Sequence, residues 1–443
     1  MKFINQYHKD LFATLINNFW RFISGPLMLL LIPVFLTPQQ QGYWYLFGSI
    51  AALSVFADLG FSNIILQFAA HEYAFLSTSE QNILIGDITY IKKLGGFFRY
   101  VIKWIGRICL IVYPIIVVVG IWFFIRDGVL SIYLIPWIIY SIGSFTYFFS
   151  NTILSFIEGL DKIAKIQEIR LFSAISNTII VSTCLVCNLN IYALSFSVFF
   201  SSLVLIFNTI YNFHKTLLQL LKESSGFNYD WKIEILPLFI RYALSFASGY
   251  FIFQIYTPLM HYFHGPVYSG KVGITLNFVT TAFNLSGIWM YTIIPRINIL
   301  ISRKEWIELD KIFYKRLFLS LFSYIVIVCC FYAVVYFFRD FLIIPKIVPR
   351  FLDNYSIIIL FMCYFIQQII NAFALYLRGH KKEPFVIPSI ISAVWILVFT
   401  LIIGNFYPPS FFFLGLLSSY AWGLPLAFIL FFSLKKKWHS MAY

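Results

Sequence analysis

Uncharged apolar runs of about twenty residues recur along the whole chain, and they constrain its fold more than any other feature. Each is long enough to cross roughly 30 Å of hydrocarbon as a helix. Twelve such runs are counted, at roughly 12–36, 43–70, 101–125, 129–157, 169–188, 191–213, 235–262, 268–295, 317–338, 354–377, 385–404 and 410–434. Dividing 443 residues among twelve spans leaves about 37 for each span with its loop, so no soluble domain fits in the remainder. Composition agrees: 11% of the residues are charged and 60% hydrophobic, against roughly 25% charged in a soluble domain. The expected fold class is an all-α integral membrane protein.

A formal net charge of +14 raises the question of an acidic partner. Its distribution answers differently. With the N-terminus inside, 26 of the 32 Lys and Arg residues, Arg170 and Arg241 among them, fall at inner loops or inner span ends. The outer side receives Arg126, Lys271, Arg339, Lys346 and Arg350, and Arg21 lies within a span. Such a bias predicts cytoplasmic termini; the basic balance sets topology, and no nucleic acid is expected as a partner. The six cysteines all fall within spans. Cys184 and Cys187 have CxxC spacing, but without a second pair or a nearby histidine they read as small apolar packing residues. The first span is too long for a cleaved signal and lacks an A-x-A-like site, so it reads as a retained anchor.

Outer loops such as "TPQQQG", "RDG" and "NLN" are very short, and the longest, "FRDFLIIPKIVPRFLDN", has about seventeen residues. A membrane polymerase or ligase working on outside sugars would need a larger outer loop to build a wet active site. Shifting the chain by 228 residues lays "PVFLTPQQQGYWYLFGSIAAL" over "HYFHGPVYSGKVGITLNFVTT", with Gly42 on Gly270. Both segments hold the first outer turn of a six-span half. Two halves of the same orientation, 1–215 and 216–443, are the layout of parallel-repeat transporters, with the substrate path at their interface.

Polar residues inside the spans are the candidates for function, because a charge at mid-bilayer costs about 2.5–3.5 kcal/mol on insertion scales. Asp58 lies sixteen residues from Gly42, taken as the tight outer turn, and Arg21 lies fifteen from Leu36. At about 1.5 Å per residue both sit about 22–24 Å below the outer surface, where they can pair. One reading makes them a structural ion pair. The other makes them part of a central cavity, because Asn17, Arg21, Asp58, Asn63 and Gln67 form a polar stripe. The second half offers Arg241, Gln254, His261, His264, Lys271, Asn277 and Asn284 as a counterpart, and Gln367, Gln368 and Asn371 as a further patch. Arg241 can snorkel to phosphates, the amides can serve helix–helix bonding, and the two histidines can be interfacial ring residues or can titrate. Asp58 and His261 are the candidates for ion coupling. No Ser-His-Asp set, carboxylate pair, metal-ligand cluster, P-loop or GxGxxG is present, so neither enzyme activity nor a cofactor is expected.

"GYWYLFGSIAALSVFADLGFSNIILQFAAHE" resembles the second-span signature of polysaccharide exporters of the MOP flippase superfamily. "HGPVYSGKVGITLNF", "YTIIPRINILISRKEWIELDKIFYKR" and "YLRGHKKEPF" resemble the matching regions of Wzx-type O-antigen flippases. The resemblance implies two six-helix lobes around a central cavity, MOP/MATE-like, in the bacterial inner membrane. It implies transfer of an undecaprenyl-diphosphate-linked oligosaccharide from the cytoplasmic to the periplasmic leaflet, with a polysaccharide polymerase and a chain-length regulator as functional partners. Arg21 would contact phosphate or an acidic sugar, Asp58 would hold it or exchange protons, and Asn17, Asn63, Gln67, Gln254, Asn277 and Asn284 would meet sugar hydroxyls. A MATE-type cation or drug antiporter is the alternative. That branch relies on an acidic residue in the first span, where this chain has Arg21 and no carboxylate. A membrane glycan polymerase or ligase is the further alternative.

Overall fold

The computed structural model describes residues 2–79, 82–223, 229–337, 341, 344–380 and 384–440. The elements begin with α1 (Lys2–Phe35), α2 (Pro38–Ala51), a 3-10 turn (Ala52–Ser54), α3 (Val55–Asp58) and α4 (Phe61–Tyr73). A small antiparallel hairpin follows, β1 (Leu76–Thr78) and β2 (Leu84–Gly86), with Ser77 opposite Ile85. Long helices come next: α5 (Ile88–Arg126), α6 (Leu130–Glu158), α7 (Ile163–Val186), α8 (Tyr192–Glu223), α9 (Trp231–Phe253) and α10 (Tyr256–Tyr291). The chain ends with α11 (Ile294–Arg303), α12 (Trp306–Phe337), α13 (Ile344–Ile347), α14 (Asn354–Gly379), α15 (Val386–Phe406) and α16 (Leu414–Ser440).

Among the described residues ten helical segments are long and apolar enough to cross a membrane, or eleven if α2–α3 and α4, bent by 42°, form one span. One of the ten, Trp231–Arg303, runs for 73 residues. That is about 110 Å of helix, more than two hydrocarbon thicknesses. It turns at Gly265, whose φ of 82° is open to glycine, directly before Pro266. Read as two crossings, this segment brings the number to the expected twelve.

The turn between the first two spans lies earlier than the sequence count placed it. Helix α2 starts at Pro38, with Thr37 and Gln40 forming a capping box: Gln40 N–H donates to Thr37 Oγ1 at 3.2 Å and Thr37 N–H to Gln40 Oε1 at 3.0 Å. Proline suits the first helical position because its missing N–H would be unpaired there anyway. The turn is therefore Leu36–Thr37, and Gly42 is a helical residue. Asp58 lies twenty residues, about 30 Å, along from Pro38, while Arg21 lies fourteen residues, about 21 Å, back from Phe35. The equal depths derived from Gly42 do not hold along these helices.

Contacts group the chain into two compact units, Met1–Leu31 with Phe47–Ala247, and Ile32–Leu46 with Ser248–Tyr443. In the first, Phe47 is fully buried among Phe124, Trp137 and Tyr140, with centroid distances of 5.5, 4.9 and 5.8 Å. Buried Glu72 accepts from Lys93 Nζ at 2.8 Å, and the ammonium also lies over the Tyr229 and Trp231 rings. In lipid, apolar side chains gain little by leaving the solvent, so close backbone approach and internal hydrogen bonds hold helices together. Gly143 on α6 shows this: a methyl group there would lie 2.7 Å from the Phe199 backbone on α8.

In the second unit a cluster of Leu309, Phe313, Phe373, Tyr376, Ala427 and Phe431 joins α12, α14 and α16. Phe373 and Phe431 stack at 4.1 Å. The start of α2 crosses α10 in this unit. Gly42 faces Pro266, Gly270 faces Gly42, and Gln41 Nε2 donates to the Gly270 carbonyl at 2.9 Å. Gly42 and Gly270, aligned by the 228-residue shift, thus meet each other in space. So do Tyr45 and Gly273, the next aligned pair along the same face.

Candidate functional site

The first unit carries a half-open cavity of about 350 Å³ bordered by α1, α6, α7 and α8. Helix α7 contributes Arg170, Ser173, Ala174, Asn177 and Thr178, spaced so that all five lie on one face. Helix α6 adds Tyr140, Ser144 and Tyr147, spaced by four and three residues; α1 supplies Ser24, and α8 supplies Val198 and Ser201. Arg170 Nη2 is 3.0 Å from Glu158 Oε2, with only 16% and 17% of the two side chains exposed. A pair this sheltered must balance itself, since an unmatched charge would carry most of its desolvation cost. The sequence reading assigned Arg170 to the inner surface. It stands instead seven residues inside α7, on the cavity wall.

Part of the wall's hydrogen-bonding capacity is already used. Ser173 Oγ donates to the Ser201 carbonyl at 2.8 Å, Asn177 Nδ2 to Ser201 Oγ at 3.3 Å, and Thr178 Oγ1 to the Ala174 carbonyl at 3.0 Å. The wall also presents the Ser144 and Tyr147 hydroxyls and the Asn177 amide.

None of the residues singled out from the sequence is among the described residues lining this cavity. Asn17, on α1, is buried and donates from Nδ2 to Gln167 Oε1 on α7 at 2.7 Å, its own Oδ1 having no partner among the described residues. The Arg21 side chain lies outside the described residues, as does that of Arg241. Asp58 has a local role. After the left-handed pair Leu59 and Gly60, its carboxylate accepts from Gly60 N–H at 3.1 Å, Ser62 N–H at 3.0 Å and the Ser62 hydroxyl. The carboxylate caps α4 across a break in the span, where unmatched N–H groups and a positive helix end favour it. Asn63 and Gln67, one turn apart, are exposed on α4.

In the second unit Gln254 is exposed at the break between α9 and α10. Asn277 and Asn284 are exposed on one face of α10 with Thr281 between them; Thr281 Oγ1 donates to the Asn277 carbonyl at 2.7 Å. His261, expected at an interface or as a titrating group, is 1% exposed and sits edge-on to Tyr43 at 5.1 Å. Its Nδ1 is 3.0 Å from Ser269 Oγ, which donates to the Pro266 carbonyl at 2.8 Å, so the ring braces the Gly265–Pro266 turn. Gln368 Nε2 donates to Ser320 Oγ, and Ser320 donates to the Ser286 carbonyl at 2.8 Å, a helix–helix chain of the kind amides make in membranes. The signal for the cavity was present as "RLFSAISN", with Arg170, Ser173 and Asn177 at i, i+3 and i+7. It was hidden because Arg170 was counted with the loop before it.

No protein-family model and no curated protein matches the chain. A solved structure, the inward-facing conformation of a multidrug resistance MATE family transporter of the MOP superfamily, does match. The TM-score is 0.68 at 11% identity, over 98% of this chain and 99% of that one. At this identity the likeness speaks for the fold. The chain is an all-α, multi-pass membrane protein with the fold of MOP-superfamily transporters.

Proposed function

We propose that the chain is a Wzx-type flippase, carrying an undecaprenyl-diphosphate-linked oligosaccharide from the cytoplasmic to the periplasmic leaflet by alternating access. The observation that carries this reading is the cavity wall of the first unit. It offers hydroxyls, an amide and one balanced Arg170–Glu158 pair, and no carboxylate stands among the described residues lining it. Such a wall suits sugar hydroxyls, which need donors and acceptors together. The exposed amides of Asn63, Gln67, Gln254, Asn277 and Asn284 extend the same chemistry. A sugar–diphosphate head group cannot cross hydrocarbon unaided, whereas its polyprenyl tail can stay in lipid. The positive-inside bias supports cytoplasmic termini in the bacterial inner membrane. A polymerase and a chain-length regulator would act on the delivered product.

A cation or drug antiporter is the second reading, favoured by the structural neighbour, a multidrug resistance MATE family transporter. An organic cation would call for an unmatched carboxylate, yet Asp58 is engaged by Gly60 and Ser62. Leaflet-resolved accumulation of lipid-linked glycan in cells lacking the gene separates the two. Repeat units trapped on the cytoplasmic leaflet support the flippase. Unchanged surface glycan with altered drug resistance refutes it in favour of the antiporter, and unpolymerised units exposed outside point to a polymerase.

A further inference from the structure

We infer that the cavity in the first unit is a seat for one uncharged sugar ring, gripped by Arg170, Asn177, Ser144 and Tyr147. This deepens the flippase reading and rests on it for the source of the sugar. At about 350 Å³ the cavity falls at the small end of the ~300–1,000 Å³ typical of small-molecule sites. That is room for a monosaccharide and too little for a whole repeat unit.

Charge narrows the ligand class further. Among the described residues lining the cavity Arg170 carries the one charge and Glu158 matches it, so they hold neither a surplus positive charge for a free phosphate nor a surplus negative one for an organic cation. A polyprenyl tail would strip water from nine polar lining side chains and return no hydrogen bonds. An uncharged polyol is the class that fits. The guanidinium keeps N–H groups beyond the one held by Glu158 and can donate; the Asn177 carbonyl accepts; the Ser144 and Tyr147 hydroxyls do either. Asn177 is fixed by its bond to Ser201 Oγ at 3.3 Å, which orients its carbonyl without consuming it.

The geometry also separates seating from transport. All four gripping residues belong to α6 and α7 of a single unit, so the ring can be held without any contribution from the second unit. Recognition at this seat therefore selects the sugar, while passage of the head group depends on other residues.

The test uses full-length protein in lipid nanodiscs and saturation-transfer NMR. The probes are methyl α-glucoside, methyl α-galactoside, rhamnose and N-acetylglucosamine, with tetraethylammonium and inorganic phosphate as charged controls. At least one sugar is expected to receive saturation, and the charged probes none. Tyr147→Phe keeps the shape and removes one hydroxyl, so binding should weaken roughly fivefold, the value of one hydrogen bond. Ala174→Leu fills the cavity and should abolish the signal. If Ala174→Leu does not fold, Asn177→Ala takes its place, with an expected loss of similar size to that of Tyr147→Phe. No sugar signal with wild-type protein overturns the proposal, as does a signal that Tyr147→Phe and Asn177→Ala leave unchanged, or one from tetraethylammonium instead. Leaflet-resolved glycan in the same strains keeps the two readings apart. Flipping without a sugar signal sinks the seat alone, and a sugar signal without flipping sinks the flippase.

Discussion

A single methyl group at Gly42 should be among the most damaging small changes available to this protein. Placed there, it would lie 2.6 Å from the Pro266 carbonyl carbon and nearer still to the carbonyl oxygen. Ordinary carbon–carbon contact begins at about 3.5 Å. The two backbones must therefore part by about 0.9 Å, and neither atom belongs to a side chain that could swing away. Overpacking of this kind costs about 1–3 kcal/mol. Gly48, two turns further along α2, has nothing within 4 Å of an added methyl group, so Gly48→Ala should gain about 0.5–1 kcal/mol from helix propensity. The two alanine variants should thus differ by about 1.5–4 kcal/mol despite identical chemistry in the same helix. Thermal unfolding of both purified proteins in one detergent measures the difference. A Gly42→Ala protein as stable as Gly48→Ala would show that the crossing with α10 is not closely packed, and the steric reasoning would fail.

Asp58 gives a second contrast. Asp58→Ala should cost about 1–2 kcal/mol as a lost helix cap, while Asp58→Asn, also a good cap, should keep normal protein levels and flipping. An Asp58→Asn protein that folds normally yet has lost transport would argue for a carboxylate that titrates. His380 gives a pH dependence. Burial, with a smaller contribution from His439, holds its imidazole down at about 4, against an ordinary value near 6.5. Between those values the unfolded chain binds a proton that the folded protein refuses, so stability falls as pH drops from about 6.5 towards 4 and is unaffected by this group above that window. His380→Phe should flatten the dependence in a series of melting curves, since the ring stacks on Trp438 at 4.0 Å and phenylalanine can replace it there. A variant with wild-type slope would show that other groups set it.

The helices were legible because hydrophobic run length is a direct readout of membrane thickness. Gly265–Pro266 could likewise be located as an outer turn between two runs. The corner at Leu36–Thr37 was misplaced because "TPQQQG" looks like a polar loop. Its Thr37–Gln40 spacing and Pro38 are helix-start signals that outrank polarity. The expected pairing of Asp58 with Arg21 falls on a side chain outside the described residues, and the local role of the carboxylate was not foreseen. Locally it meets the N–H groups of a helix two residues on. The cavity depends on how four helices are brought together, which no one-dimensional pattern contains. Only its α7 face was written in the spacing of Arg170, Ser173 and Asn177.

The break at Leu59–Gly60 also bears on what this span must pack against. An unbroken helix would give the N–H groups of Gly60 and Ser62 to carbonyls one turn back, but here the Asp58 carboxylate takes them. Backbone that leaves its helix in this way is tolerated in a membrane only against protein or a water-filled space. Phe246 and Tyr242 cover one side of Gly60, with carbons 2.8 and 3.0 Å from where a methyl group would stand. A hydropathy average over 43–70 counts this stretch as continuous hydrocarbon contact, yet the helix is interrupted in the middle of it and leans on neighbouring protein there.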